Sequence, residues 1–495
     1  MSEWERDHTA PLTACGLTRI PRGTHHRAVV WKRYHLGVGA LPRPRPTDKG
    51  VTVLSSTRTT RRPRKAIAAV AGLAAITLTL TACSSGSGSD DAETGSGDEK
   101  ITLTVATFND FGYSDELLAA YSESHPNVTV KQTKAAKSED ARTNLTTKLA
   151  AGGEGLADIE AIEVDWLPEL MQYPDLFTDL TDPELEGRWV DWKVQQATTT
   201  DGKVIGYGTD IGPSAICYRQ DLFEAAGLPS DPAAVAELLG GEDATWDDYF
   251  AAGATFVAAS DSAWYDSAMS ISQAMVNQID NAYEESDGTP KDLATNQPII
   301  DIYDTVVEQS TTNGLSAGLE QWSGDWDAAF QNDGFATMIC PAWMTGPVEE
   351  RSGGVTGWNV ADVFPGGGLN WGGSFLTVPA SGPNAEAAKE LAAWLTDPAQ
   401  QTTAFENAGT FPSQLEAQES DAVQSFTNDF FNDAPVGQIF VNRALAIDGA
   451  PFKGANYFSI HQTVQDGIKR VDVEKTDDAA SSWQKTLQSF QDLGL

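Results

Sequence analysis

Three short stretches carry most of the side chains able to do chemistry. Glu163-Val164-Asp165-Trp166 places two carboxylates and an indole within four residues. It closes a run, Ala157 to Val164, that reads as a strand. Thr107-Phe108-Asn109-Asp110 is a second polar cluster, with Asn109 the candidate contact, just past another such run. Trp371 directly precedes Gly372-Gly373, where a backbone without Cβ atoms can approach another group closely. Carboxylates and amides beside aromatic rings can hold a hydroxylated ring, the aromatic face covering C–H groups while polar atoms take the hydroxyls. Two acids opposed at roughly 5–10 Å could instead hydrolyse a glycoside. No acid here sits in a hydrolase-like motif, so binding is the better reading.

The elements that must position these residues follow from periodicity. Ile101–Val105 alternates apolar residues with Thr and predicts a strand. A helix over Asp115–Ser124 follows, with Leu117, Leu118 and Tyr121 at helical spacing, and His125-Pro126-Asn127 breaks it. A strand at Val128–Val130, a helix over Glu139–Ala151 and the strand Ala157–Val164 complete a β-α-β-α-β order. That order predicts a parallel sheet with crossover helices. Further strands are expected at Ala215–Tyr218, Phe335–Cys340 and Ser374–Pro379. Thr245, with Asp248 three residues on, predicts a capped helix start. Ala385–Leu395, Gln462–Arg470 and Ala479–Leu493 read as helices, and no repeat of fixed period is present. In open α/β sheets ligands sit beyond the carboxyl ends of the strands, which singles out the loops named above.

Near the start, Arg61-Arg62-Pro63-Arg64-Lys65 precedes an uncharged run, Ala66 to Leu80, and then Leu80-Thr81-Ala82-Cys83. A basic segment, a short apolar segment and small residues at the cut describe a secretory signal peptide. The run is shorter than the roughly 20 residues of a spanning helix. Leu-Thr-Ala-Cys resembles the lipobox of bacterial lipoproteins, which implies that Cys83 is acylated and begins the mature chain. The same tetrapeptide at Leu12–Cys15 has no apolar run before it. Residues 1–50 are Arg- and Pro-rich, read as a non-structural extension, and suggest a true start near Val51. Residues 51–82 are then the signal peptide, and 83–100, rich in Gly, Ser and acids, a flexible tether.

The whole chain holds 33 Lys/Arg and 70 Asp/Glu, of which the first 82 residues hold 14 and 4, so residues 83–495 carry a net charge near −47. Such a surface repels nucleic acid, and neutral or cationic ligands suit it better than anionic ones. Beyond Cys83 only Cys217 and Cys340 remain. They can form a disulfide in an oxidising compartment or be two buried thiols, and the apolar run around each favours buried thiols. Only His125 and His461 lie beyond residue 82, little material for a metal site or a His-based triad. No metal and no cofactor is expected.

Several stretches, in one order, carry a family resemblance. They are Ile101–Val105, His125-Pro126-Asn127-Val128-Thr129-Val130, Ala157-Asp158-Ile159, and the run from Ile211-Gly212-Pro213 to Ala226-Gly227-Leu228. Thr245-Trp246-Asp247-Asp248, Ala336 to Trp343, Trp371-Gly372-Gly373-Ser374, Asn384 to Ala388 and Thr410-Phe411-Pro412-Ser413 continue it. Together they resemble the extracellular solute-binding proteins of bacterial ABC importers, in particular the sugar-binding family that includes the maltose-binding protein. The resemblance implies an α/β periplasmic-binding-protein fold. Two discontinuous lobes are joined by a hinge and close on a sugar in the cleft between them. The expected lobes are 101–211 with 372–412, and 212–371 with 413–495. Crossings are placed near Thr209–Pro213, Trp371–Ser374 and Phe411–Leu415.

The resemblance also implies roles. Tyr218 and Trp343 match the family's stacking aromatics, although Pro341-Ala342-Trp343 departs from the commoner Gly-Pro-Trp order. Asp210 falls at the first crossing, as a ligand contact or a hinge hydrogen bond, and Trp371 falls where the lobes meet. Trp264 and Tyr457 are further candidates, beside Asn109, Glu163, Asp165 and Trp166. Trp322 and Trp326, four apart on a predicted helix, and Trp394 and Trp483 are expected in the core. The implied function is a lipid-anchored receptor on the outer face of the cell membrane, a monomer with no enzymatic activity. It would deliver a carbohydrate, an oligosaccharide given the many Trp, to ABC permease subunits. A secreted glycoside hydrolase, or a receptor for another polar solute such as a peptide or polyamine, are the alternatives.

Overall fold

The computed structural model describes residues 100–495. The extension, the signal peptide, Cys83 and nearly all of the tether lie outside the described residues. Within them, nine strands are named here β1 (Ile101–Phe108), β2 (Val128–Ala135), β3 (Ile159–Glu163), β4 (Tyr207–Gly208), β5 (Ser214–Arg219), β6 (Ala263–Tyr265), β7 (Phe335–Pro341), β8 (Trp358–Ala361) and β9 (Ser374–Thr377). The helices used below are α1 (Asp115–Ser124), α2 (Ser138–Ala150), α3 (Asp191–Gln196), α4 (Trp246–Val257), α5 (Ala268–Val276), α6 (Ala385–Leu395), α7 (Pro398–Ala408) and α8 (Tyr457–Asp472).

Two sheets organise two lobes. The first has the order β2-β1-β3-β9-β4 and the second β6-β7-β5-β8. β1 pairs in parallel with β2 and β3, as the β-α-β-α-β pattern predicts. Leu103, Val105, Ile159 and Ile162 are fully buried there, each removal from water contributing roughly 1.5–3 kcal/mol. Leu118 and Tyr121 of α1 and Leu391 and Leu395 of α6 join the same core. Ser114 caps α1, its hydroxyl accepting from Leu117 N at 3.2 Å.

The all-parallel expectation fails at β9, which runs antiparallel to both β3 and β4. The reason is topological. The chain leaves the first sheet after β4, builds the second lobe, and returns from the hinge side. Its returning strand therefore starts at the edge where β3 ends, and Ser374 lies opposite Glu163.

In the second sheet β5 is antiparallel to β7 and β8, and β6 is parallel to β7. Every residue of β5 and β7 is buried, so this sheet is covered on both faces. α4 packs over it, opened by a capping box: Thr245 Oγ1 accepts from Asp248 N and Asp248 Oδ2 from Thr245 N, at 3.2 and 3.0 Å.

Cys217 and Cys340 form a disulfide between β5 and β7, which corrects the expectation of free thiols. The apolar surroundings were read correctly, but the antiparallel register brings the two Cα atoms to 5.4 Å, within bridging range.

The hinge is laced by backbone bonds between segments far apart in sequence. Thr209 N donates to Ser374 O, Ile211 N to Phe411 O and Trp371 N to Gly212 O, at 2.9, 2.9 and 2.8 Å. A Cβ on Gly212 would lie 1.8 Å from Trp371 O, so only glycine lets these strands approach.

The disulfide joins residues 123 apart, so its loss frees a long loop in the unfolded chain. Cys217→Ala/Cys340→Ala is expected to cost about 2–4 kcal/mol and to lower the melting temperature by several degrees in calorimetry. Wild-type protein under reducing conditions should approach the same value. Equal melting of all three samples would mean that strand pairing alone sets the stability of this sheet.

Candidate functional site

A cavity of about 500 Å³ opens between the lobes. The first lobe supplies the ends of β1 and β3 with their following loops: Phe108 to Phe111, Tyr113, Glu163 and Asp165. The start of α2 adds Lys137 to Asp140. The hinge supplies Thr209, Asp210, Trp371 to Ser374, and Thr410. The second lobe supplies Met269, Ser270 and Gln273 of α5, Glu320 to Trp322, Trp343, and Phe458, His461, Gln462 and Gln465 of α8. The lobe-one contacts thus lie beyond the carboxyl ends of parallel strands.

Six of the residues singled out from sequence meet here: Asn109, Glu163, Asp165, Asp210, Trp343 and Trp371. Asn109 has a left-handed backbone, φ 48°, and its Oδ1 is buried without a partner among the described residues. Asn is among the few residues that adopt this conformation readily. Trp343 donates from Nε1 to Trp371 O at 2.8 Å, and the two rings meet edge to face with centroids 6.4 Å apart. Asp210 does hinge work as well as lining the cleft. Its Oδ1 accepts from Thr209 Oγ1 at 2.7 Å and from Ser374 N at 2.9 Å.

Four candidates lie elsewhere. Trp166 is buried in the first lobe's core and donates from Nε1 to Ser138 Oγ at 2.9 Å. Tyr218 is fully buried against Phe223 and donates its hydroxyl to Ser230 O at 2.7 Å. Trp264 sits in an aromatic knot with Phe223, Tyr249 and Phe256, where Gly253 leaves room for its ring. Tyr218 and Trp264 share one cause: they lie in strands covered on both faces, where alternation gives no exposed face, whereas Trp166 follows β3 and turns inward at the start of a short helix. Tyr457 is also buried, one layer behind the wall, its ring stacked on His461 at 5.7 Å.

Trp322 was expected in the core with Trp326 and instead lines the cleft. The helix begins only at Gly324, with Ser323 as its cap, so Trp322 falls outside it. Trp326 is fully buried, as expected, donating from Nε1 to Asp266 Oδ2 at 3.1 Å. Ser323, a strong capping residue, was the available signal. Trp322 lies nearly parallel to Trp343, 20° between planes and 6.3 Å between centroids. Arg351 approaches its ring to 4.9 Å. Phe111, Tyr113, Gln273, Phe458, His461 and Gln465 were also not anticipated.

The polar lining is incompletely satisfied by the protein itself. Asn109 Oδ1, Thr410 Oγ1, Gln273 Nε2 and Gln465 Oε1 have no partner among the described residues. Each such group costs about 1–3 kcal/mol when buried unpaired, which a hydroxyl-bearing ligand would offset. Burial, reinforced by Asp165, pushes the Glu163 carboxyl well above the usual range. Burial also raises Asp210, opposed by the nearby Lys193 ammonium. Lys193 of α3 is buried behind the hinge with its Nζ 3.8 Å from the Phe375 ring, and burial brings its pKa down to about 7. No group of His, Cys, Asp and Glu suited to a metal ion occurs among the described residues.

The comparisons agree with this architecture. A family profile described as bacterial extracellular solute-binding protein matches residues 116–431. A solved extracellular solute-binding protein of family 1 is 46% identical, with a TM-score of 0.69, covering 79% of this chain and 98% of the other. The ABC transporter associated binding protein of B. animalis subsp. lactis Bl-04, solved with β-1,6-galactobiose, is 20% identical with a TM-score of 0.67, covering 80% and 98%. The arabinooligosaccharide-binding protein of Bacillus subtilis is 25% identical over 328 residues, 61% of this chain and 71% of its own length. At 26% identity, the chain spans 38% of the length of the first curated relatives it matches.

His461 provides a test of the site's electrostatics. Its Nδ1 is 2.9 Å from the Tyr283 hydroxyl, its Nε2 contacts Gln273, and burial lowers its pKa to about 4. An unfolded imidazole protonates near pH 6.5, whereas the folded one stays neutral until about pH 4. Stability present above 6.5 is therefore lost as pH falls through that window. The raised carboxyls of Glu163 and Asp210 act in the opposite sense, so the informative quantity is a difference. Wild type should melt progressively lower relative to His461→Gln between pH 7 and pH 4. An offset independent of pH would show that His461 is not held neutral.

Proposed function

Because the chain belongs to the bacterial extracellular solute-binding proteins, we propose that it captures an oligosaccharide between its lobes and delivers it to an ABC permease. The observation that carries this reading is the cleft wall. Trp322, Trp343 and Trp371 line it with indoles, and Glu163, Asp165 and Asp210 line it with carboxylates. Indoles cover the C–H faces of pyranose or furanose rings, while carboxylates and the unpartnered amide and hydroxyl atoms take the sugar hydroxyls. A run of three indoles offers more apolar surface than one sugar ring uses, which favours a chain of at least two. The names of the relatives support the sugar class: one binds arabino-oligosaccharides, another was solved with a galactobiose.

Family members are binding proteins, so closure around the sugar, rather than reaction on it, is the productive event. Hinge motion brings the lobes together and creates a surface that a permease reads. Anchoring at Cys83 supplies the rest of the reading, resting on the order of basic segment, apolar run and Leu-Thr-Ala-Cys. A tethered receptor would stay near its permease on the outer face of the membrane. Lobes 101–211 with 372–412, and 212–371 with 413–495, are the units that would move.

Calorimetric titration of the chain from Ser84 onward with arabinotriose, β-1,6-galactobiose and maltose tests the proposal. One of these, or a related neutral oligosaccharide, is expected to bind without turnover, and Trp371→Ala to weaken it at least tenfold. Stabilisation only by a peptide or polyamine, or release of product from the oligosaccharide, would overturn the sugar-receptor reading. Cys83→Ser is expected to release the protein from cells into the medium, and retention on the cells would overturn the anchor.

A further inference from the structure

The ion pairs of the described residues show a pronounced asymmetry. Arg142–Glu169 and Arg188–Asp397 lie within the first lobe. Arg219–Asp333, Arg351–Asp327, Arg443–Asp362 and Lys469–Glu320 lie within the second. Among the described residues, one pair joins the lobes: Lys453 with Asp165.

Lys453 is fixed in the second lobe from both sides. Phe452 N donates to Asp280 O at 2.7 Å, and Asn456 N to Glu284 Oε1 at 3.1 Å. Gly454 stands where a Cβ would fall 2.4 Å from the Glu284 carboxylate, so the loop is pressed against that lobe. From this base the Lys453 ammonium hydrogen-bonds the Asp165 carboxylate, just past β3 of the first lobe. It also lies 4.7 Å from the Tyr457 ring centroid. The two charged side chains are 7% and 14% exposed, so the pair is withdrawn from solvent, unlike a surface pair that contributes almost nothing. Arg142 of the first lobe, 4.4 Å from the Phe458 ring of the second, lies along the same seam. Asp165 faces the cavity while Lys453 does not line it.

We propose that Lys453 is a positioning residue for ligand binding: reaching across from the second lobe, it clamps the Asp165 carboxylate and holds the lobes together on this side of the cleft. The proposal rests on the cleft being the ligand site. The clamp adds to affinity a lobe-to-lobe interaction that the ligand does not make. It also fixes the direction in which Asp165 presents its other oxygen to the cavity. Removing the cation leaves a buried carboxylate without its partner, which favours separation of the lobes until water reaches it.

Two measurements on the chain from Ser84 onward test this. Small-angle X-ray scattering without any sugar should show a larger radius of gyration for Lys453→Met than for wild type, with Lys453→Arg close to wild type. Calorimetry with arabinotriose, β-1,6-galactobiose and maltose should show at least a tenfold loss of affinity in Lys453→Met for whichever binds. Lys453→Met should have little further effect in an Asp165→Asn background, because the clamp acts through Asp165. Additive losses in the double variant, or superimposable scattering with affinity within twofold of wild type, would overturn the clamp. Melting curves of each variant confirm that it is folded. If no sugar binds, the oligosaccharide reading fails, and scattering alone decides whether Lys453 holds the lobes.

Discussion

The bond from Ser374 N to Asp210 Oδ1 ties the first interlobe crossing to the second, and the cleft depends on it. Asp210 sits where the chain leaves the first sheet, and Ser374 where it re-enters. Their union forces β9 to start at the edge where β3 ends, and so places Glu163 opposite Ser374. Space there is strictly limited. A Cβ on Gly373 would meet Asp210 O at 2.6 Å and Lys193 Nζ at 2.9 Å. At φ +98° the residue is also in a conformation that favours glycine. The floor of the cleft is thus a backbone junction, and the side chains around it are held by a hinge rather than by one lobe.

Charge in the cleft follows from what each cation is already doing. Lys134 pairs with Asp110, Lys469 with Glu320 and Lys453 with Asp165. Lys193 lies against the Phe375 ring, a weaker partner than a carboxylate. Burial, and then the neighbouring Asp165, hold the Glu163 carboxyl above the usual carboxylate range. A carboxylate-bearing ligand would add another anion beside Glu163, Asp165 and Asp210, with Lys137 the lining cation that forms no ion pair among the described residues. The strongly acidic composition of the chain from Cys83 onward points the same way.

Local signals in the sequence were read well, and long-range ones were not. Alternation placed β1, apolar spacing placed α1 and α6, and Thr245 with Asp248 announced a capped helix start, which the structure completes as a capping box. The polar loops after β1 and β3 led to Asn109, Glu163 and Asp165, because strand ends are local features. Burial of Tyr218 and Trp264 was not readable, since an aromatic in a doubly covered strand looks the same as one at its exposed end. The disulfide needed the register of two strands 123 residues apart, and the Lys453–Asp165 pair a separation of 288. Neither distance leaves a trace in spacing. His461 and Gln465, one turn apart on α8, carry no sign in sequence that they line the cleft.

Trp322 shows how the fold sustains a ring that local preference would not place. Its φ of 66° is in the left-handed region, rare for a bulky residue and costing on the order of 1–3 kcal/mol. Three neighbours hold it there. Ser323 starts a helix immediately after it and fixes the chain direction. Arg351, itself bonded to Asp327 at 2.7 Å, lies against one ring, and Trp343 stacks alongside. Trp326 fills the fully buried position, and Trp322 packs on its ring with centroids 5.2 Å apart while its own ring lines the cleft. The strain therefore serves the cleft: it turns Trp322 out of the helix and lines it up with Trp343 and Trp371. A wall of three indoles is thus built from one strained residue, one strand end and one hinge crossing, joined by the Trp343 Nε1 bond to Trp371 O.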